Sequence, residues 1–460
     1  MEVRAPRVLL AGTASGVGKT TVMCGLLLLL ARRGLRVRAC KCGPDYVDPT
    51  FHQRVLGVPS CNLDTFLGDA AFVRAQVAHG ARDADLTLIE GAMGYYDGVS
   101  CTTRASAFDV ADATDTPVVL VADARGRSLS AAAEVAGFMR FREPSHIRGV
   151  LLNRASAGYA TAMRSMMGDE TGLSVLGCLP TLDGVRLEHR HLGLVRAPEI
   201  DDLLDRVGRV ADALEDALDV DMLLGVAASA PAIECEPRAV RALPDDAPVV
   251  AVARDEAFCF LYDELAHALE NMGARVVWFS PLHDQVLPAG TSGLYLCGGY
   301  PELWAQGLSD NVAMREQVRE AISDGMPTIA ECGGFMYLHD WLVDDRGVSW
   351  PMAGVVRGTC RNQGHLVRFG YATLTAARDS LVARAGDQIP VHEFHYWDSD
   401  AHGDAFVARK PHKDVGWECV VGTDTLYAGF PHLYLPAHPQ LTRRFVDACA
   451  AFGALGGGAT

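Results

Sequence analysis

The residues with the clearest chemistry lie near the amino terminus, where positions 12–21 are Gly-Thr-Ala-Ser-Gly-Val-Gly-Lys-Thr-Thr. Gly18-Lys19-Thr20 is typical of the end of a phosphate-binding loop. There, backbone N–H groups at a helix start hold phosphates, the lysine neutralises their charge and the threonine hydroxyl can bind Mg²⁺. The strict pattern has a glycine where this chain has Thr13. Because the motif lies between an apolar run and a helix predicted from Lys19 to Arg33, nucleotide binding is favoured over a purely structural turn.

Two carboxylates follow apolar runs that are predicted as strands. The run that begins at Leu86 ends in Glu90, and Asp45 lies on a tight Gly-Pro loop after the second predicted strand. A Mg²⁺–nucleotide site needs carboxylates at strand ends. Asp45 alone would indicate only a surface turn, but beside a phosphate-binding loop the favoured interpretation is contact with metal or substrate.

A second candidate site lies in the carboxyl-terminal half, where Cys332 is flanked by a predicted strand and by two glycines that precede a helix. A thiol at a helix N-terminus has a lowered pKa, and glycines allow close approach of a substrate. Gly299 follows another predicted strand, so its N–H and that of Gly333 are predicted to form an oxyanion hole. A lone cysteine in a glycine turn is more often inert, but the paired turns and a distant histidine favour a nucleophile.

The candidate bases are His432, with His438 six residues further on, and the pair His392 and His395. Either pair could be taken for metal ligands. Neither has cysteine or carboxylate companions at a ligand spacing, and the Cys-x-Cys that begins at Cys40 has no second pair, so a zinc site is not favoured.

Composition and charge restrict the class of protein. The 460 residues include 41 Lys and Arg against 57 Asp and Glu, a formal charge of −16, which argues against general binding to nucleic acid or anionic membranes. The longest apolar run, Val22 to Ala31, is far shorter than the roughly 20 residues that span a bilayer, and is predicted as a buried helix. The amino terminus lacks the apolar core of a signal peptide, so we expect a cytoplasmic chain with reduced thiols.

Apolar runs alternate with helical segments in both halves of the chain, which predicts an α/β fold with parallel sheets. The predicted strands are Val8–Ala11, Arg36–Cys40, Leu86–Glu90, Pro117–Asp123 and Gly149–Asn153, then Val249–Ala253, Arg275–Phe279, Gly293–Cys297 and Thr328–Glu331. A stretch rich in Ala, Pro, Asp and Glu over 227–246 is predicted as a linker. It divides the chain into predicted domains 1–226 and 247–460.

Eight short motifs follow one another along the chain in the order found in a known family. They are Gly-Pro-Asp-Tyr-Val-Asp-Pro (43–49), Glu-Gly-Ala-Met-Gly-Tyr-Tyr-Asp-Gly (90–98), Arg-His-Leu-Gly-Leu (190–194), Ala-Arg-Asp-Glu-Ala-Phe (253–258), Phe-Ser-Pro-Leu (279–282), Gly-Gly-Tyr-Pro-Glu (298–302), Glu-Cys-Gly-Gly-Phe-Met-Tyr-Leu (331–338) and His-Glu-Phe-His-Tyr (392–396). Over nearly its whole length the sequence resembles the cobyrinic acid a,c-diamide synthases, glutamine amidotransferases of cobalamin synthesis. The resemblance implies a dethiobiotin-synthetase-like P-loop domain followed by a class I glutamine amidotransferase domain.

The resemblance also implies a reaction. ATP with Mg²⁺ would phosphorylate a substrate carboxylate, the cysteine would release ammonia from glutamine, and ammonia would displace the phosphate to give an amide. The implied substrate is cobyrinic acid at its a and c carboxylates, with hydrogenobyrinic acid or nickel-sirohydrochlorin as alternatives. A homodimer is a further expectation.

Residue by residue, the resemblance implies the following roles. Cys332 is the nucleophile and His432 its base. The ATP-binding residues are Ser15, Gly16, Gly18, Lys19, Thr20, Thr21 and Asn153, the last at a strand end expected to meet adenine. The metal-binding residues are Thr20, Asp45 and Glu90, and the substrate-binding residues are Tyr46, Asp48, Tyr96 and Asp97.

The sequence departs from the patterns of related families at some positions, and one rival class of protein shares its phosphate-binding loop. Glutaminases with a full triad have a glutamate two residues after the base, where this chain has Tyr434, and the resembled family is expected to use a Cys–His dyad. The rival class is a partition-type ATPase, whose signature lysine would stand at Ala14; it would leave the second half unexplained. A polyanionic substrate also predicts a local basic patch that includes Arg190 and His191.

Overall fold

The computed structural model describes residues 1–182, 184–185, 197–236 and 243–456. The chain divides into two compact units, Met1–Arg238 and Ala239–Thr460. Within the described residues, no helix is both long and apolar enough to cross a bilayer. Arg190 and His191, predicted for a basic patch, lie outside the described residues.

The first unit alternates strands and helices along the chain. Its strands are β1 Glu2–Val3, β2 Arg7–Gly12, β3 Val37–Cys42, β4 Ser60–Leu63, β5 Leu86–Glu90, β6 Val118–Asp123, β7 Ile147–Asn153, β8 Ser174–Leu179 and β9 Ile233–Glu234. Its helices are α1 Lys19–Arg32, α2 Val47–Arg54, α3 Ala70–Gly80, α4 Ala107–Thr114, α5 Leu129–Phe141, α6 Ala160–Thr171, α7 Ala197–Ala217 and α8 Val220–Ala228.

Seven of these strands form one parallel sheet in the order β4-β3-β5-β2-β6-β7-β8. Because β3, β5 and β2 are neighbours, their carboxyl ends bring the residues that follow Cys42, Glu90 and Gly12 to one edge of the sheet. The leucine-rich run is the buried helix α1, as predicted. Its Gly25 packs so closely on α7 that a Cβ there would lie 2.5 Å from Val210 Cγ1.

The predicted linker over 227–246 contains regular structure. It begins inside α8 and includes β9, which pairs antiparallel with β1 through Val3 and Ile233. An Ala/Pro/Glu-rich composition indicates low propensity for a core helix or strand, but a short edge strand needs only backbone pairing. The domain bounds 1–226 and 247–460 stay a prediction.

The second unit has more strands and shorter helices. Its strands are β10 Val249–Ala253, β11 Phe258–Phe260, β12 Arg275–Phe279, β13 Thr291–Leu296, β14 Gly298–Gly299, β15 Thr328–Glu331, β16 His339–Val343, β17 Ser349–Pro351, β18 Val356–Asn362, β19 Arg368–Ala376, β20 Gln388–His395, β21 Trp397–Ser399, β22 Phe406–Arg409, β23 Gly416–Cys419, β24 Val421–Gly422, β25 Leu426–Gly429 and β26 His432–Leu433. Its helices are α9 Glu264–Asn271, α10 Ala305–Asp310, α11 Val312–Ser323, α12 Gly333–Tyr337 and α13 Pro439–Ala454.

A six-stranded sheet, β12-β10-β13-β15-β25-β24, is the centre of this unit and is parallel except for β24. An antiparallel sheet, β23-β22-β19-β20-β26, is joined to it through the chain at β25 and β26. The predicted α/β fold class, with a parallel sheet in each half, is confirmed.

Candidate functional site

Glycines shape the loop between β2 and α1 in the first unit. Gly16 and Gly18 have φ of +76° and +97°, a left-handed conformation that glycine adopts without strain. A Cβ at Gly18 would lie 2.3 Å from Asn153 Nδ2, which donates a 2.8 Å hydrogen bond to the Val17 carbonyl. Asn153, at the carboxyl end of β7, therefore supports the loop backbone. Its contact with adenine stays a prediction.

Lys19 is the first residue of α1, so its ammonium group lies among loop carbonyls at the start of the helix. Its Nζ donates to the carbonyls of Ala14 at 3.1 Å and Met93 at 2.5 Å. Burial, followed by the nearby charge of Lys41, lowers the pKa of Lys19 to about 8. An anion bound in the loop would stabilise the charged form and raise this pKa again.

Four buried side chains form a continuous polar cluster behind the loop. Thr20 Oγ1 donates to Glu90 Oε1 at 2.5 Å, and the same oxygen lies 2.8 Å from Lys41 Nζ. Lys41 Nζ lies 2.5 Å from Asp48 Oδ2. Sequence reasoning gave roles to the other three residues but missed Lys41, although a lysine that ends a strand between two acidic motifs was a usable signal.

Burial and neighbouring charges shift the pKa values of two groups in this cluster. Burial raises the pKa of Glu90 to about 7, although Lys41 acts in the opposite direction. Burial alone would lower the pKa of Lys41, but the Asp48 and Glu90 carboxylates outweigh it and hold that pKa well above its ordinary value. In the described part of the chain, Glu90 Oε2 has no hydrogen-bond partner. An orphaned carboxylate oxygen beside the hydroxyl of Thr20 fits the oxygen ligands that Mg²⁺ prefers.

The other predicted metal ligand, Asp45, is engaged locally. Its Oδ1 accepts from the backbone N–H groups of Val47 at 2.8 Å and Asp48 at 3.0 Å, which organises the start of α2. Among the described residues, no group of three His, Cys, Asp or Glu is arranged to hold a metal. The metal assignments for Thr20, Asp45 and Glu90 stay predictions.

Tyr46, Tyr96 and Asp97, three of the predicted substrate residues, lie in the loops after β3 and β5, and the fourth, Asp48, lies in the first turn of α2. Tyr46 caps the start of α2, and Asp97 Oδ2 accepts from Gly94 N at 3.0 Å. Tyr96 donates its hydroxyl to the Phe138 carbonyl at 2.6 Å, and its ring stacks on Phe138 with centroids 5.6 Å apart. Tyr96 is thus anchored to α5, and the substrate contacts of all these residues stay predictions.

A cavity of about 660 Å³ lies beside the phosphate-binding loop, lined by residues that follow β6, β7 and β8. Arg154 in its wall donates to the Gly16 carbonyl at 2.8 Å and forms a 3.0 Å ion pair with Asp123. Arg125 and Arg127 also line it. The cavity is large enough for a nucleoside.

The second unit carries Cys332 at the tight turn between β15 and α12. The residue is buried and has φ +47° and ψ −103°, a strained conformation for a side chain other than glycine. Its N–H donates to the Gly429 carbonyl at 2.8 Å. Such a strand–turn–helix arrangement presents a nucleophile at the start of a helix.

Two glycine backbones approach each other next to this turn. A Cβ on Gly333 would lie 2.9 Å from the backbone nitrogen of Gly299, and a Cβ on Gly334 would lie 2.1 Å from the Leu296 carbonyl. Any larger residue at these positions would collide with the backbone of the neighbouring strand or turn. The structure therefore brings together the two predicted oxyanion-hole residues, Gly299 and Gly333.

His432 lies in β26, next to both the cysteine and the glycine turn. Its ring is so close to Gly298 that a Cβ there would lie 2.6 Å from His432 Cε1, and it hydrogen-bonds Cys332. Burial alone would lower the pKa of His432, but the hydrogen bonds with Cys332 and Glu331 outweigh it and raise the pKa to about 10. The structure thus pairs the two residues predicted as nucleophile and base.

Glu331, which immediately precedes the nucleophile, was missed as a site residue. Its Oε2 lies 3.6 Å from His432 Nδ1, and its Oε1 accepts from the Leu433 N–H at 2.9 Å. At the position where a full triad has its glutamate, the Tyr434 ring packs edge-on against Tyr262, with centroids 4.6 Å apart. A carboxylate thus reaches the base from the residue that precedes the nucleophile.

The fold and the two sites define a two-domain protein with a P-loop nucleotide-binding half and a glutamine amidotransferase half. Residues 8–195 match the family model of the CobQ/CobB/MinD/ParA nucleotide binding domain. Residues 249–438 match that of the CobB/CobQ-like glutamine amidotransferase domain. A partition-type ATPase leaves the second match unexplained.

Relatives extend the match over both halves together. The chain is 36% identical to the cobyrinate a,c-diamide synthase of Caldanaerobacter subterraneus subsp. tengcongensis, over 97% of this chain and 98% of that protein. It is 34% identical to the cobyrinate a,c-diamide synthase of Priestia megaterium, over 97% of each. It is 37% identical to the hydrogenobyrinate a,c-diamide synthase of Thermobifida fusca, over 96% of each. The chain belongs to the cobyrinate a,c-diamide synthase family, and it is a glutamine-dependent, amide-forming ligase, as the motifs predicted.

Proposed function

We propose that this enzyme uses ATP, Mg²⁺ and glutamine to convert the a and c side-chain carboxylates of cobyrinic acid to amides. The observation that carries the proposal is the completeness of both sites in one chain. Thr20, Glu90 and Lys41 meet behind the phosphate-binding loop, and His432 contacts both Cys332 and Glu331. Relatives similar over their full lengths bear the name of this reaction.

In the first step, the loop N–H groups and Lys19 hold the ATP phosphates, and the cavity beside Arg154 takes the nucleoside. Thr20 and Glu90 would hold Mg²⁺, which neutralises phosphate charge during transfer. Lys41 holds Glu90 and Asp48 together through its two ion pairs. An oxygen of the substrate carboxylate attacks the γ-phosphorus, and ADP leaves, so that the carboxylate gains a leaving group as an acyl phosphate.

In the second unit, the Cys332 thiolate attacks the side-chain carbonyl carbon of glutamine. The N–H groups of Gly299 and Gly333 stabilise the oxyanion. Protonated His432 donates its proton to the leaving nitrogen, so ammonia departs and a thioester remains; water then hydrolyses the thioester to glutamate. Ammonia attacks the acyl phosphate, and phosphate leaves to give the amide.

Glu331 supports His432 in this mechanism in two ways. A carboxylate next to the imidazole Nδ1 stabilises the imidazolium that must protonate the leaving nitrogen of glutamine. Its contact with the Leu433 N–H also fixes the strand that carries His432. Glu331 therefore acts as a positioning residue in place of the glutamate that Tyr434 replaces.

Hydrogenobyrinic acid is the second candidate substrate, because the chain is about as similar to the Thermobifida fusca enzyme, at 37% identity, as to cobyrinate enzymes at 34–38%. The test is product mass after incubation of the purified protein with ATP, Mg²⁺, glutamine and either acid. Two successive exchanges of a hydroxyl for an amino group on cobyrinic acid support the proposal, and the Cys332→Ala variant should then need ammonium instead of glutamine. If the protein amidates hydrogenobyrinic acid but not cobyrinic acid, the substrate is hydrogenobyrinic acid.

A further inference from the structure

The His-Glu-Phe-His-Tyr motif at 392–396 has no role in the reaction derived above. It ends β20, where residues alternate between the two faces of the sheet. Glu393 and His395 are both buried and share one face, whereas Phe394 between them is exposed. Two buried titratable side chains on one face of a strand need hydrogen-bonding or charged partners.

Both side chains line a cavity of about 240 Å³ close to the cysteine turn. Its apolar wall includes Phe335, three residues after the nucleophile, and Phe430, two residues before the base. The His395 ring stacks on Phe430 with centroids 3.9 Å apart and planes 6° apart. The wall of the cavity is therefore continuous with the two segments that carry Cys332 and His432.

Two polar atoms in this wall, one on His395 and one on Glu393, are acceptors without a donor. His395 Nδ1 lies 2.7 Å from the Trp397 carbonyl, which can only accept, so Nδ1 carries the hydrogen. Burial lowers the pKa of His395 to about 4, so at neutral pH the ring is neutral and Nε2 has a free lone pair. Within the described residues, neither His395 Nε2 nor Glu393 Oε2 has a hydrogen-bond partner.

A buried acceptor without a donor costs free energy, so the cavity favours an occupant that brings donors. Arg368, whose guanidinium lies 4.7 Å above the Trp417 ring, also lines the cavity and can meet a carboxylate. The volume accommodates a small amino acid or a few water-sized molecules.

We propose that this cavity binds a nitrogen bearing N–H donors, either the α-ammonium group of glutamine or the ammonia released from its side chain. Glu393 and His395 accept from that nitrogen. The inference rests on the proposed glutaminase function of the second unit.

Two conservative variants remove one acceptor each. In Glu393→Gln, an oxygen can still accept from Trp417, which hydrogen-bonds Glu393, while an NH₂ replaces the free oxygen. In His395→Asn, the amide can still donate to the Trp397 carbonyl, while Nε2 is removed. The exposed residues of the same unit supply matched controls, Glu316→Gln and His365→Gln. If one variant does not fold, the comparison is made with the other variant alone.

The assay uses the full chain and measures glutamate release, amide formation with glutamine, and amide formation with ammonium chloride. If the cavity holds the α-ammonium group, the KM for glutamine rises about tenfold or more, and glutamate release and amidation fall together. If it holds released ammonia, glutamate release stays at the wild-type rate, but less amide forms per glutamate. In both cases ammonium-dependent amidation stays close to wild type.

The inference is overturned if both variants match their controls in all three measurements, because the cavity then holds only water. Absence of glutamate release by the wild-type protein would overturn the proposed function, and the inference with it. The wild-type measurement therefore separates the two failures.

Discussion

Glu331 Oε2 lies 3.6 Å from His432 Nδ1, and both side chains are 2% exposed. The contact joins the residue before the nucleophile to the base. Because water is excluded from this pair, the carboxylate acts on the imidazole with little screening. It supplies a triad-like arrangement although no acidic residue stands two positions after the base.

We therefore predict that Glu331→Gln slows glutaminase turnover by about ten- to hundredfold, because the buried imidazolium loses its nearby carboxylate charge. In the wild type, activity should fall as pH rises through about 10, because His432 then loses its proton. In the variant, weaker stabilisation of the imidazolium lowers the pKa of His432, so the fall should occur at lower pH. Glutamate release measured from about pH 6 to about pH 11 checks both.

Tyr434→Phe is the control for this prediction, because it alters the position where other glutaminases have glutamate. Its pH profile should match that of the wild type. An unshifted profile for Glu331→Gln, at whatever rate, would show that the carboxylate does not act on His432. Ammonium-dependent amidation should be unchanged in both variants.

Lys41 gives the second prediction, because it is the cation of the buried cluster in the first unit. Lys41→Met leaves Glu90 and Asp48 buried without their partner, which should cost about 3–5 kcal/mol of stability. ATP-dependent amidation should be lost, while glutamate release persists. Denaturant unfolding, compared with the exposed Lys413→Met, measures the cost; equal stability of the two variants would contradict it.

The sequence predicted those site residues that are recognisable from their immediate neighbours in the chain. Gly18, Lys19 and Cys332 stand at strand–helix junctions, where a few adjacent residue types indicate the conformation. Lys41 and Glu331 gained no role because their partners are distant in sequence. Lys41 is paired in register with Glu90 on the neighbouring strand of the parallel sheet. Glu331 contacts His432 and Leu433 in β26, and the separation between Glu331 and Leu433 is 102 positions.

The antiparallel sheet of the second unit was not predicted for a related reason. The burial of β19 alternates only in its second half, and its two partners, β20 and β22, both follow it along the chain, with β21 between them. Pairing between distant strands is set by the whole fold rather than by the residues of one segment. The cavity beside Glu393 could for that reason not be expected from the motif alone.

Lys19 makes ATP binding depend on pH. Its pKa is lowered to about 8 in the free protein, and bound phosphates favour the charged form. Below this pH the lysine is already protonated, so affinity should be constant. As pH rises above about 8, binding must take up a proton, and the Kd should increase by up to about tenfold per pH unit.

Calorimetric titration of ATP in buffers of different ionisation enthalpy measures both the Kd and the proton uptake. Lys19→Arg keeps its charge throughout this range, so its Kd, whatever its value, should not vary with pH. Proton uptake by the Arg variant equal to that of the wild type would assign the effect to another group.

Substitutions at Gly18 and Gly16 test whether close packing against Asn153 matters for ATP binding by the loop. Both have left-handed φ angles, so alanine at either costs about 1–2 kcal/mol. At Gly18 a Cβ would also lie 2.3 Å from Asn153 Nδ2, whereas nothing lies within 4 Å of a Cβ at Gly16. Gly18→Ala should therefore displace Asn153 from the Val17 carbonyl and weaken ATP binding at least about tenfold more than Gly16→Ala. ATP titration of the two variants decides this, and equal affinities would mean that Asn153 does not support the loop.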